Sequence, residues 1–325
     1  MKAALAAAAL ALSPLPAAAS GLDAYSDFYV FGDSVSGPGN LFDALFGAPV
    51  SPVPGKFPHA QATDGDVWAA QLGADFASGT NYAHISARAQ PTGPITFTLP
   101  GIGSLDFDVP DLGAQITQYR SDAPTLGDNA LAAVFAGSND LRDAFSSTEP
   151  GAVIARALLS ITFGVRRLLQ DFDEIVVFGI PDLGLVPEVA ALGPGASAVA
   201  TAVSAQTNAL LTATLDARFG DEVTFFDTFG FFQEVLADPA SFGFTNVTEP
   251  CTDPFVPAPT APDCSGFLFY DTLHPTEAGH VLLAQRFVQQ ASDHPPAIPL
   301  PAGGLLLIGG LGALVGLRRA RKAAA

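Results

Sequence analysis

The chain has 325 residues, 49% of them hydrophobic and only 14% charged, with 32 glycines and 27 prolines. That is enough for one large domain with a real core, or two small ones, and it excludes a mostly disordered chain. Thirty-two acidic residues against 14 basic ones give a formal charge of −18, which repels phosphate backbones and excludes nucleic acid as a partner.

In chain order, Lys2 precedes an Ala/Leu run from Ala3 to Leu12, and Ala17-Ala18-Ala19 supplies small residues for cleavage. This is the pattern of a secretory signal peptide over residues 1–19, and Pro14 and Pro16 count against a buried helix there. Residues 28–31 read as a buried strand that runs into Gly32-Asp33-Ser34 and a train of turn-forming residues. A helix is predicted over 67–76 and a weaker strand over 81–86. The Gly/Pro-rich stretch 91–110, with Phe97, Leu99, Ile102, Leu105 and Phe107, fits either an apolar flap over a site or a hairpin covering the sheet. Residues 131–136 form a second apolar run, ending in Gly137-Ser138-Asn139-Asp140. A helix over 152–169, a strand over 175–180, a helix over 196–219, a strand over 223–226 and a last helix over 277–291 complete the pattern.

Strands alternating with helices at this spacing imply an α/β fold with a parallel sheet covered on both faces. Ligands in such sheets bind beyond the carboxyl ends of the strands, so the loops after Phe31, Ser86 and Ala136 should share one edge. Two cysteines, Cys251 and Cys264, flank twelve residues rich in Pro, Thr and Asp, and in an exported protein they most simply form one disulfide. The chain has neither C-x-x-C nor H-E-x-x-H, so no metal or cofactor is expected.

At the other end, residues 302–317 are uncharged and are followed by Arg318, Arg319, Arg321 and Lys322. As a helix the run would reach roughly 24 Å, just short of a bilayer core, with the basic residues held on the cytoplasmic side. Together with Ile298-Pro299-Leu300-Pro301-Ala302 it resembles the VPLPA/PEP-CTERM sorting tails of Gram-negative bacteria, with Ile298 in place of the first valine. The resemblance implies a temporary anchor over 298–325, removed by an exosortase and leaving the protein outside the cell or on its surface; a permanent anchor is the alternative. Lys2 and the four tail residues account for five of the 14 basic residues. The remaining nine face all 32 acidic ones, giving the domain over 20–297 a formal charge of −23.

Three short blocks carry the chemistry: Gly32-Asp33-Ser34 with Gly39-Asn40 behind it, Gly137-Ser138-Asn139-Asp140, and Asp271-Thr272-Leu273-His274-Pro275. In this order, and with Gly79-Thr80-Asn81-Tyr82-Ala83 between the first two, they resemble the SGNH/GDSL hydrolase family from about Asp27 to Ala291. The resemblance implies a three-layer α/β/α fold with a mainly parallel, five-stranded, flavodoxin-like sheet. It further implies a secreted serine esterase or lipase-like enzyme acting on carboxylic esters of lipids or acylated carbohydrates.

The roles follow from the residue types. A serine hydroxyl needs a base to remove its proton, and His274 is the candidate, with Asp271 to fix its tautomer. The oxyanion formed by attack on a carbonyl needs donors already in place, here the Ser34 backbone N–H and the Asn139 amide, and the family resemblance implies a third in the Ser86 backbone N–H. Two positions depart from the family pattern. Ser86 stands where a glycine is usual and would be strained at positive φ. Gly37-Pro38 stands where lipase-like members often carry an acidic residue.

Asp33 reads as a loop-holding acceptor, His84 as packing or substrate-adjacent, and His280 as a surface or packing residue. Ser138 sits in no G-x-S-x-G elbow, a motif absent from the whole chain, which argues against an ordinary α/β-hydrolase. Two other readings stay open: a carbohydrate O-acetylesterase acting on exopolysaccharide, and a non-catalytic surface or matrix protein on the same fold.

Overall fold

In the computed structural model the described residues are 22–293, apart from Pro54, Pro100 and Pro254. The stretches expected to be a signal peptide and a sorting tail therefore lie outside the described residues. The strands and helices are β1 (Asp27–Gly32), α1 (Asn40–Phe46), α2 (Trp68–Gln71), β2 (Ile95–Leu99), β3 (Gly103–Phe107), α3 (Leu112–Asp122), β4 (Ala130–Phe135), α4 (Ser138–Ser146) and α5 (Pro150–Leu168). They continue with β5 (Glu174–Phe178), α6 (Pro187–Ala190), α7 (Pro194–Phe219), β6 (Val223–Phe226), α8 (Thr228–Ala237), β7 (Asn246–Pro250), β8 (Phe267–Phe269) and α9 (Glu277–Asp293).

β1, β4, β5 and β6 pair in that order, all parallel, with Phe31 opposite Val134 and Gly32 opposite Phe135. Their side chains alternate between two cores, as a period of two requires. Val30, Leu131, Ala133, Phe135, Val176 and Phe178 face a layer containing Trp68 of α2, Phe231 of α8 and Phe287 of α9. Phe31, Ala132, Val134, Ile175 and Val177 face Ile116 of α3, Ile161 of α5 and Leu211 of α7. Three layers result, and both sheet faces are dry. Fully burying an aromatic such as Phe178 contributes roughly 1.5–3 kcal/mol, and its ring meets Phe135 at 4.8 Å and Trp68 at 4.7 Å.

The sheet has four strands, not the five expected. Residues 80–84 run along the free edge of β1: Thr80 accepts from the Val30 N–H, Tyr82 donates to Val30, and His84 donates to Gly32. Only one bridge, Val30 with Asn81, has strand geometry. The run stops because Ser86 turns left-handed at φ 67°, while the Ala83 N–H and carbonyl are taken by the Asn81 and Asn40 side chains. The helix expected over 67–76 is likewise cut to four residues, ending before Gly73 at φ 90°.

β2 and β3 form the antiparallel hairpin inside the 91–110 stretch, and β7 pairs with β8 in parallel. Cys251 and Cys264 are bonded, Cα to Cα 5.5 Å, closing a loop of sequence separation 13. Restricting the unfolded chain in this way is worth about 3 kcal/mol.

Candidate active site

β1 and β4 deliver two of the three blocks to one edge of the sheet. A Cβ on Gly32 would lie 2.1 Å from the Phe135 carbonyl oxygen, and its φ is 154°, so glycine alone lets the chain turn there. The Gln115 side-chain amide grips this glycine from α3, accepting from its N–H at 2.8 Å and donating to its carbonyl at 2.9 Å. Asp33 then holds the loop as expected, accepting from the Val35 N–H at 3.1 Å while its own N–H donates to Phe135. Burial pushes the Asp33 carboxyl up to about 7.

The third block arrives from the far end of the chain. Asp271 lies between β8 and α9 and accepts from the backbone N–H groups of Leu273 at 2.8 Å and His274 at 2.7 Å through one oxygen. Its other oxygen is 2.8 Å from His274 Nδ1, and His274 Nε2 is 2.8 Å from Ser34 Oγ. Two residues 240 positions apart are thus in hydrogen-bond contact. Burial opposes charge on both members of the pair. The mutual attraction and hydrogen bonds win, holding Asp271 below the usual carboxylate range and His274 above ordinary histidine.

Asn139 opens α4 directly after β4 and is 5% exposed. One of its amide hydrogens goes to the Ala87 carbonyl at 2.9 Å, which ties it to the segment carrying Ser86. Neither the Ser34 nor the Ser86 backbone N–H has a partner among the described residues. Ser86 takes the left-handed conformation that its position demands of a glycine, at a cost of roughly 1–2 kcal/mol. Ser86→Gly should therefore be at least as stable as the parent despite glycine's added chain entropy, whereas β-branched Ser86→Val should be less stable. Thermal unfolding of the two variants checks this, and a clear loss in Ser86→Gly would mean that the hydroxyl outweighs the backbone.

Four residues to which sequence reasoning gave no role build the surroundings. Gln115 was one, and Asp140 is another: fully buried, it accepts from the backbone N–H groups of Ala89 at 2.7 Å and Gln90 at 3.2 Å. Arg142 and Glu188 form a two-point ion pair beside Asn139, at 2.6 and 3.0 Å. Helical spacing from Asn139 to Arg142 was the one signal that could have flagged the arginine.

The remaining candidates play no part in the hydrogen-bonded chain. His280 is wholly buried in packing and forced down to about 3, and His84 is lowered to about 4 by burial. Ser138 is buried with its hydroxyl unpartnered. Among the described residues no three His, Cys, Asp or Glu side chains gather closely enough to hold a metal ion.

His274, Ser86 and Arg142 border a cleft of about 860 Å³ whose apolar wall includes Leu41, Phe42, Phe57, Phe97, Leu99 and Phe255. The β2–β3 hairpin thus contributes Phe97 and Leu99 to the cleft, the flap reading of the 91–110 stretch. Ser34 and Asn139 themselves line a smaller recess of about 30 Å³, together with His274, Phe135, Leu183, Val186 and Phe232.

The chain is 29% identical over 281 residues to a phosphatidylcholine-sterol acyltransferase of Aeromonas hydrophila, covering 82% of this chain and 79% of that protein. It is 24% identical over 188 residues to a GDSL esterase/lipase of Arabidopsis thaliana, covering 50% of each. Among solved structures it is similar to an acetylxylan esterase of Geobacillus stearothermophilus, with a TM-score of 0.43, 14% identity and coverage of 81% of this chain and 93% of that one. Residues 28–287 match the model of the GDSL-like Lipase/Acylhydrolase family, so the chain belongs to that family and is an ester hydrolase.

Proposed function

We propose that this protein is an exported serine esterase of lipase-like character, with Ser34 as nucleophile, His274 as general base and Asp271 as its orienting acid. The observation that carries this reading is the unbroken chain of 2.8 Å contacts from Ser34 Oγ through the imidazole to Asp271. Ser34 attacks the ester carbonyl as His274 Nε2 takes its proton, and the imidazolium is stabilised by Asp271. The Ser34 and Ser86 N–H groups and the free Asn139 amide hydrogen receive the oxyanion. His274 returns the proton to the leaving alcohol, and water repeats the sequence on the acyl-enzyme.

The acyl group is taken to be an extended chain rather than acetyl. Six apolar side chains along one cleft would be wasted on a two-carbon group, whereas each buried CH₂ contributes about 0.8 kcal/mol. Export is supported by the Lys2 and Ala/Leu start and by the sorting tail, whose loss from about Ile298 onward leaves every proposed catalytic residue in place.

One experiment tests the whole reading. Turnover of p-nitrophenyl esters from acetate to laurate, and acetyl release from an acetylated polysaccharide, would be compared in cells and culture medium. The expected result is kcat/KM rising with chain length, with activity in the medium. A maximum at acetate together with acetyl release would favour the O-acetylesterase instead. No turnover of any ester in this range would overturn the substrate class proposed here.

A further inference from the structure

Asn139 presents a problem that its own side chain does not solve. An asparagine amide offers nearly the same shape with oxygen and nitrogen exchanged, but only one arrangement puts an N–H in the place where an oxyanion forms. The Ala87 carbonyl, 2.9 Å from Nδ2, accepts one amide hydrogen and so favours that arrangement. Arg142 lies one turn further along α4, and its Nη1 donates to Asn139 Oδ1 at 3.1 Å. A guanidinium has no acceptor, so a reversed amide would aim N–H at N–H on this side and oxygen at oxygen on the other. Both neighbours therefore reject the reversed amide.

Arg142 is itself held from behind. Glu188 accepts from Nε at 2.6 Å and from Nη2 at 3.0 Å, leaving Nη1 as the hand that reaches Asn139. The Glu188 backbone N–H donates to the Thr272 carbonyl at 2.9 Å, inside the Asp271–His274 segment. The pair thus braces the oxyanion side of the site against the base side. Because Glu188 occupies Nε and Nη2, the fork of Arg142 is held in the one orientation that turns Nη1 to Asn139 Oδ1.

From this geometry we infer that Arg142, braced by Glu188, is a positioning residue that keeps the Asn139 amide aimed at the reacting carbonyl. The inference rests on the proposed role of Asn139 and adds to it a specific orienting pair. It makes a sharp demand: Arg142 matters only while Asn139 is present.

The test is a double-mutant cycle on purified full-length enzyme, with turnover of one p-nitrophenyl ester expressed per fluorophosphonate-titrated site. Asn139→Ala should lower kcat by about 10²- to 10³-fold, the cost of one oxyanion donor. Arg142→Ala should lower kcat about tenfold or more with KM nearly unchanged, the signature of a contact made in the transition state. In the Asn139→Ala background the same change should cost less than about twofold. Arg142→Lys, the milder variant should Arg142→Ala fold poorly, keeps the charge but not the fork, and should be slow as well.

Full turnover in Arg142→Lys would overturn the inference in favour of a simple charge effect. So would an Arg142→Ala loss that is equal with and without Asn139, or one that falls on KM. In each of those cases a slow Asn139→Ala leaves the oxyanion role standing. An Asn139→Ala enzyme at full rate would overturn both together.

Discussion

Ser34→Ala is expected to cut turnover by about 10⁴-fold or more and to abolish labelling by a fluorophosphonate probe. The Ser34 hydroxyl is the group within 2.8 Å of His274 Nε2, so its removal leaves the base with no nucleophile to activate. The loss should fall on kcat, because the apolar cleft and the oxyanion donors are untouched by deleting one oxygen. Residual turnover above the uncatalysed rate is expected from those donors alone. Labelling that persists, or that moves to Ser138, would mean the nucleophile has been misassigned. Ser138 is the obvious rival because its hydroxyl is buried without a partner in the same recess.

The second large effect is Asp271→Asn, expected to lower kcat by roughly 10³- to 10⁴-fold and to shift the acid limb of kcat/KM towards lower pH. The sign follows from what acts on His274. Burial disfavours its charge, but Asp271 outweighs burial through charge and hydrogen bond, and Asp33 adds to that pull while Arg142 opposes it. The base works only when neutral, so in the parent enzyme activity should rise with pH through a value above the ordinary 6.5 or so of histidine. With the carboxylate gone, burial prevails and the limb moves below that value. The rate still collapses, because an amide can turn its N–H towards Nδ1 and stabilise the wrong tautomer. An acid limb that stays in place in Asp271→Asn would mean that another group governs it. The pH dependence of kcat/KM for both proteins decides the point.

Much of the site was legible along the chain because its chemistry is concentrated in short blocks. Ser34 and Asn139 follow Gly32 and Gly137 within two residues, and Asp271 and His274 share one short polar loop closed by Pro275. The strands were legible for a similar reason: a strand dry on both faces reads as an unbroken apolar run, as residues 130–135 do. Segments with mixed patterns were missed. α3, from Leu112 to Asp122, carries Gln115, Thr117, Gln118 and Arg120 among its apolar residues, so its period is blurred. Yet α3 supplies Gln115, the residue that grips Gly32. His280 could be read as surface or packing from its place on a helix, and only the closing of α9 over the sheet assigned it to packing.

By itself the sequence determined that the protein is an α/β chain with a serine and an asparagine at strand ends, an Asp/His pair just before the last helix, and two cysteines close enough to join. Those features depend on residue type and on neighbours within a few positions, which is the range over which turns and strands are encoded. Only the tertiary structure decided that four strands rather than five close the sheet, that Ser86 is left-handed, and that Phe97 and Leu99 face a cleft. It also decided that Arg142 reaches back to Asn139 while Glu188, 46 residues further on, holds it. The cleft wall and the Glu188 contact join segments far apart in the chain. Each depends on where packing leaves a free carbonyl, an open edge or an unmatched charge, and no single stretch of sequence carries that information.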